Sequence, residues 1–257
     1  MEQSLERGTR GVSLNTLKLI AIASMLVDHI AYAFVPDGTA LAIVMHFIGR
    51  FTGPTMFFAA VEGWHHTHDL RRYLLRLGVF ALLSWYPFLF FKYGTEIQSW
   101  LRPNVVFTIF MGVLAVTVRR SERLHVALKV LLIAAIFALC VPADWGTTGL
   151  LLILVLDLFY GNFKQQAAAY CIVALCACGL LDLLMRPFFS LFYEGVFTID
   201  MELLRDYLPE FGMFVPIAAL AGYHGVQGRR TLLTKWGFYL FYPAHLLLLG
   251  WLQVILK

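Results

Sequence analysis

The chain has 257 residues, 60% of them hydrophobic and only 14% charged, with a mean hydropathy of +0.74 and a formal net charge of +4. Soluble domains carry about 25% charged residues, so this composition excludes a soluble domain, and the small positive charge reads as a topology signal rather than a nucleic-acid footprint. Apolar segments of roughly 17–25 residues recur along the whole length, each enough to cross about 30 Å of hydrocarbon. The sequence therefore predicts an all-α, polytopic transmembrane bundle that forms one domain over residues 1–257.

In chain order the predicted spans are 14–35, 40–61, 73–91, 104–118, 124–141, 146–160, 167–184, 209–223 and 235–256. That makes about nine, within a range of eight to ten. The stretch 185–208 mixes aromatic and charged residues and reads as an interfacial amphipathic element or a broken tenth span. The first segment is too long for the apolar core of a cleaved signal, and no small-x-small site follows it. Cys140, Cys171, Cys176 and Cys178 all fall in apolar segments, match no zinc spacing, and read as packing residues. No internal repeat is visible.

With the N-terminus in the cytoplasm, most Lys and Arg fall on the inner side, including Arg71-Arg72, Arg119-Arg120 and Arg229-Arg230. Lys92 and Arg102 are among the few on the outer side. This is the positive-inside pattern of a multi-pass protein of the cytoplasmic (inner) membrane.

Several residues that carry chemistry lie inside apolar runs, where a charge costs several kcal/mol unless paired or hydrated and is a functional candidate by default. Asp28-His29 sits two-thirds of the way along the first span. At 1.5 Å per residue, His29 lies about 16 Å above Lys18, near mid-membrane. Arg50 is halfway through the second span and His245 halfway through the last, with Tyr242 one turn below it. An acid, two histidines, an arginine and a tyrosine thus share one layer. The bland reading is a buried network in which Asp28 pairs with Arg50. The sharper one is a reaction site, since a histidine beside a carboxylate suits proton transfer near neutral pH.

Two further layers flank this one. On the cytoplasmic side, Glu62 through Asp69 holds His65, His66 and His68 and leads into Arg71, Arg72 and Arg76. The histidine spacing fits no metalloprotease pattern, and no metal is expected. Basic residues at a helix start suit phosphate, although positive-inside bias alone also accounts for Arg71 and Arg72. On the outer side, Asn104, Thr108 and Asp144 could contact an acceptor, while Trp145 suits an interfacial anchor.

Taken in order, these residues resemble the TraX family of integral-membrane acetyltransferases. The resemblance runs through Leu17–Ala21, Asp28-His29-Ile30, Gly49-Arg50 with Pro54, Glu62-Gly63 with His66-Thr67, and Arg76-Leu77. It continues at Ser84 with Pro87, Asn104 with Thr108, Asp144 with Gly146, Tyr223 with Gly225, Lys235, and Tyr242-Pro243 with His245. It is also similar to the wider transmembrane acyltransferases, in which a basic residue and a histidine are separated by ten intervening residues on the first helix; Lys18 and His29 have that spacing. The chain departs from the family pattern at Thr52-Gly53, at Trp145 where Tyr is common, and at His224 where Asn is common.

The resemblance implies transfer of an acetyl group from cytoplasmic acetyl-CoA to an amine or hydroxyl of an acceptor, a pilin-like N-terminus or an envelope glycan. His29 would act as general base or acetyl carrier, with Asp28, Arg50, Tyr242 and His245 around it. Lys18, Glu62, His66, Arg71, Arg72, Arg76 and Lys235 would serve the donor, and Asn104, Thr108 and Asp144 the acceptor. The competing readings are a proton-coupled permease, which the lack of repeated broken helices disfavours, and a non-catalytic membrane scaffold. Membrane lipid is expected around the bundle in every case.

Overall fold

Ser13 opens the first helix by accepting the Thr16 N–H on its Oγ at 3.2 Å, a side-chain N-cap. From there α1 runs Leu14–Phe34 without a break. The computed structural model describes residues 11–97, 99–229, 231 and 236–256, and these form helices with no strand among them. An isolated bridge joins Val12 to Tyr223.

The second predicted span is two helices, α2 (Ala40–Gly49) and α3 (Thr52–His66). Pro54 favours the break: lacking an N–H, it fits the first turn of a helix at little cost and the interior at a higher one. Thr55 ties the junction by donating from Oγ1 to the Phe51 carbonyl at 2.7 Å. The third span divides in the same way at Ser84 into α4 (Leu70–Leu83) and α5 (Trp85–Tyr93), where Pro87 occupies the first turn of α5. The Asp69 side chain caps α4.

Five helices follow: α6 (Val105–Arg120), α7 (Val126–Cys140), α8 (Gly146–Leu158), α9 (Phe163–Ala177) and α10 (Leu180–Glu194). The predicted segment 167–184 crosses the break between α9 and α10, where Gly179 at φ +72° supplies a left-handed stop and the pair bends by 60°. Next come the short α11 (Met201–Tyr207), a 3₁₀ helix (Leu208–Phe214) and α12 (Val215–Ala221), so the predicted span 209–223 is not one α-helix. The chain closes on α13 (Phe238–Leu256).

Four helical units are long and apolar enough to cross a membrane: Leu14–Phe34, Ala40–His66, Leu70–Tyr93 and Phe238–Leu256. Counting the bent α9–α10 pair as one span makes five. The expected nine are not reached on this criterion. α6, α7 and α8 have 16, 15 and 13 residues, shorter than the roughly 20 a helix needs to span hydrocarbon upright.

Packing places α1 against α2, α3 and α13, while α13 also lies on α5 and α6 lies on α4 and α8. One apolar cluster joins Leu17, Phe57, Val61, Val116, Ile153 and Met213; another joins Met25, Leu89, Tyr242 and Leu246. A buried charge cluster ties α8 to α3 and α6. Asp157, fully buried, accepts from Arg120 Nε at 2.8 Å, His65 Nε2 at 2.9 Å and Arg119 Nη2. Tyr160 stacks on His65 with ring centroids 3.5 Å apart. The cysteines are all free; Cys140 is buried, whereas Cys176 is exposed rather than packed.

Candidate functional site

A cavity of about 690 Å³ lies between α1, α2, α3, α4, α6 and α13. Lys18, Asp28 and His29 line it from α1, Arg50 from the α2–α3 junction, His66 from the end of α3, and Arg76 from α4. Tyr242 of α13 and Asp144 of the α7–α8 link complete it. Residues spread from position 18 to 242 therefore face one space.

One end of the cavity is cationic. Arg76 Nε donates to Tyr239 Oη at 3.1 Å, and its guanidinium lies over the Tyr239 and Tyr73 rings at 5.2 and 5.6 Å. Lys18 Nζ lies 5.5 Å from the centre of the Phe238 ring. Among the described residues, neither cation is in an ion pair. Two unneutralised cations held by aromatic faces at one end of the cavity form a ready site for an anion.

Farther along α1, His29 is held by a second histidine. His245 Nδ1 lies 2.7 Å from the Phe241 carbonyl oxygen, which can only accept, so Nδ1 of His245 carries the proton. The neutral ring then accepts at Nε2, and His29 Nδ1, 2.7 Å away, must donate to it. The two ring planes lie within 9° of each other. His29 is left with an unprotonated Nε2, the arrangement a general base requires. His245 itself is 5% exposed and stands behind His29 rather than on the cavity wall.

The expected Asp28–Arg50 pair is not formed. His46 Nδ1 donates to Asp28 Oδ1 at 2.8 Å, and Arg50 is bound through Nε and Nη2 to the two carboxylate oxygens of Glu210 at 3.0 and 2.5 Å. The 3₁₀ helix brings Glu210 over the α2–α3 junction, and Gly49 lets Asp28 approach so closely that a Cβ there would collide with its carboxylate. Sequence reasoning passed over His46 and Glu210. His46 precedes Arg50 by one helical turn inside an apolar run, a detectable signal; Glu210 lies in a mixed segment with none.

Other predicted residues serve the frame. Asn104, fully buried, caps α6 by accepting from Val106 N and Phe107 N, and donates to the Ala81 carbonyl at 2.8 Å. Thr108 Oγ1 donates to the Asp144 carbonyl at 2.5 Å. Neither lines the cavity. Glu62 is buried and accepts from Tyr223 Oη at 2.7 Å, with His66 Nδ1 3.5 Å from its carboxylate. Arg71 and Arg72 are exposed outside the cavity, and Arg72 pairs with Asp69 at 3.0 Å. Lys235 lies outside the described residues.

Asp144 sits on the cavity wall next to Trp145, which at φ +60° is the one non-glycine residue with positive φ among those described. Burial pushes the Asp144 carboxyl above the usual carboxylate range, opposed by the nearby charges of Lys92 and Arg50. The Trp145 indole lies over Gly53, where a Cβ would stand 2.5 Å from Cζ2, and meets the Phe57 ring edge-on. The two departures at Gly53 and Trp145 are thus in contact, the small residue making room for the large one.

A membrane protein, helical throughout its described residues, with ionisable side chains lining a cavity beside its first helix is the class these features define. The family described as TraX protein matches residues 13–253. The chain belongs to the TraX family. It is also 35% identical over 240 residues to the "Probable fimbrial assembly protein FimC, serogroup H1" of Dichelobacter nodosus, a match that covers 91% of this chain and 92% of that protein. No solved structure matches the chain.

Proposed function

We propose that this protein is a membrane-embedded acetyltransferase of the inner membrane that draws acetyl-CoA from the cytoplasm and acetylates an envelope acceptor. The observation that carries the reading is that Lys18, Arg76 and His29, the last with a free Nε2, all line one cavity. The nucleotide phosphates of the donor would rest at the cationic end, with the pantetheine arm extended along α1. From Lys18 to His29 the helix rises about 16 Å, within the reach of that arm.

In the reaction the acceptor amine or hydroxyl attacks the thioester carbonyl while His29 Nε2 takes its proton. The Nη1 side of Arg50, left over from its bond to Glu210, and the Tyr242 hydroxyl are the candidates to hold the oxyanion. The C–S bond then breaks, and the proton on His29 passes to the departing thiolate. The Asp28–His46 pair lies beside this path and adjusts its charge. The fimbrial relative favours a pilus or fimbrial subunit as acceptor over an envelope glycan.

The test is thiol release. Purified protein with acetyl-CoA should liberate free CoA slowly, and faster when an acceptor is present. A well-folded His29→Ala protein should lose about 10²–10⁴-fold of that rate. Unchanged release in the variant would remove His29 from the chemistry, and no release from the native protein with any amine or hydroxyl acceptor would remove the activity.

A further inference from the structure

Trp145 borders two cavities at once. The larger holds His29, Arg50 and Tyr242, and a second, of about 470 Å³, is lined by Phe88, Lys92, Leu101 and Arg102. Among the described residues the two spaces share Asp144 and Trp145 alone. The indole is held firmly on this wall. Thr108 Oγ1 donates to the Asp144 carbonyl, and Gly149 N–H donates to the Trp145 carbonyl at 2.8 Å. The φ of +60° at Trp145 is one that a large side chain keeps only where its surroundings impose it. The ring meets the fully buried Phe57 edge-on, with centroids 5.4 Å apart, and rests on Gly53.

The same ring stands close to the proposed reaction centre. Gly49 abuts Asp28, and Gly53 abuts Trp145. Both glycines belong to the Ala40–His66 unit, four residues apart, which is about 6 Å of helical rise. The Asp144 carboxylate, next in the chain, feels the charges of Asp28 and Arg50. Met25, one turn before His29 on α1, and Met56 on α3 line the same cavity as the indole. Apolar side chains from three parts of the chain therefore border the space that holds His29.

We propose that Trp145, seated on Gly53, sets the length of the acyl group that the site accepts. A two-carbon acyl group fits between His29 and the indole, and a longer chain is refused at the ring. The assignment rests on the acetyltransferase reading for the reaction and leaves the chemistry of the transfer unchanged. Across the indole lies the second cavity, which offers the room that a longer chain needs. Removing the ring should therefore turn a closed end into an open one.

The experiment uses the full-length protein in lipid nanodiscs with acetyl-, butyryl- and hexanoyl-CoA. Turnover is read as CoA release with water as acceptor. Binding is read separately, by calorimetry, with non-reactive analogues in which a methylene replaces the thioester sulfur. For the native protein each added methylene should cost about tenfold in kcat/KM, which places butyryl-CoA about a hundredfold below acetyl-CoA. Trp145→Gly, which suits the positive φ, should bring butyryl-CoA to within about tenfold of acetyl-CoA. Trp145→Tyr keeps a ring and should keep the preference. A Cβ at Gly53 would stand 2.5 Å from Trp145 Cζ2, so Gly53→Ala should slow acetyl-CoA turnover, and adding Trp145→Gly should restore it. The ratio between donors is internal to each sample, so partial unfolding cannot imitate a change of preference.

Native turnover that treats the three donors alike, or a preference that survives Trp145→Gly, overturns the length selection and leaves the transferase reading standing. Analogue binding that prefers the acetyl form and loses that preference in Trp145→Gly, without CoA release from any donor, sustains the acyl site and sinks the transfer. Neither CoA release nor analogue binding overturns both.

Discussion

His245 Nε2 accepts the proton of His29 Nδ1 at 2.7 Å, and the Phe241 carbonyl in turn fixes the tautomer of His245. The relation is directional: a carbonyl oxygen on α13 decides which nitrogen of a histidine on α1 is free to act. His245 is thus a positioning residue, and its contribution depends on an acceptor atom rather than on its own titration.

That dependence separates two substitutions at one position. His245→Phe removes the acceptor and should lower acetyl-CoA turnover about tenfold or more. His245→Gln, whose amide oxygen can accept from His29, should recover a substantial part of the loss. CoA release from both purified variants is the measurement. Equal activity of the Phe and Gln variants would show that His245 only fills space.

Charge pairing at the α2–α3 junction makes a second prediction. Arg50 and Glu210 form a two-point bond in a half-buried setting. Arg50→Gln and Glu210→Gln should each destabilise, with a coupling energy of about 2 kcal/mol in the double-mutant cycle. The corresponding cycle for Asp28→Asn and Arg50→Gln should yield less than half of that, because Asp28 is bonded to His46. Denaturant unfolding in detergent, followed by Trp fluorescence, supplies both cycles. A larger coupling for Asp28 and Arg50 would contradict the pairing.

The cationic end of the cavity makes the third. Lys18→Gln and Arg76→Gln should each raise the apparent KM for acetyl-CoA about tenfold with a smaller change in kcat, as loss of ground-state binding requires. Arg71→Gln with Arg72→Gln should change little, since both arginines lie outside the cavity. The effect at Lys18 and Arg76 should fade with acetyl-pantetheine, which lacks the nucleotide phosphates. In sealed vesicles, donor on the cytoplasmic face alone should be used. A variant impaired equally with both donors, or turnover from either face, would move the phosphate site elsewhere.

Depth was legible in the sequence because an α-helix advances by a constant rise per residue. Counting from the ends of apolar runs brought Asp28, His29, Arg50 and His245 to one level with Tyr242 one turn below, and of these all but His245 line one cavity. Pro54 and Pro87 favoured the two helix breaks, since the first turn of a helix is where a missing N–H costs least, although Pro187 and Pro243 stay inside α10 and α13. A reading by apolar content alone passed over both breaks. It also counted as crossings several helices that are shorter than a membrane is thick.

Direction around the helix axis was not legible, and it decides the partners. Depth places Asp28 level with Arg50, but only the packing of α1 on α2 turns Asp28 toward His46. Only the fold of the 3₁₀ helix brings Glu210 to Arg50 across 160 residues of chain. The same holds for Asn104 and Thr108, polar residues at a promising level whose side chains are taken up in capping α6 and tying the Asp144 carbonyl. The amino-acid sequence by itself determined a helical membrane protein with ionisable groups at mid-depth, because hydropathy and helical rise are local properties. Which of those groups meet, and which remain free to face the cavity, was decided by tertiary packing, because a hydrogen bond requires an ångström-scale approach between residues distant in the chain.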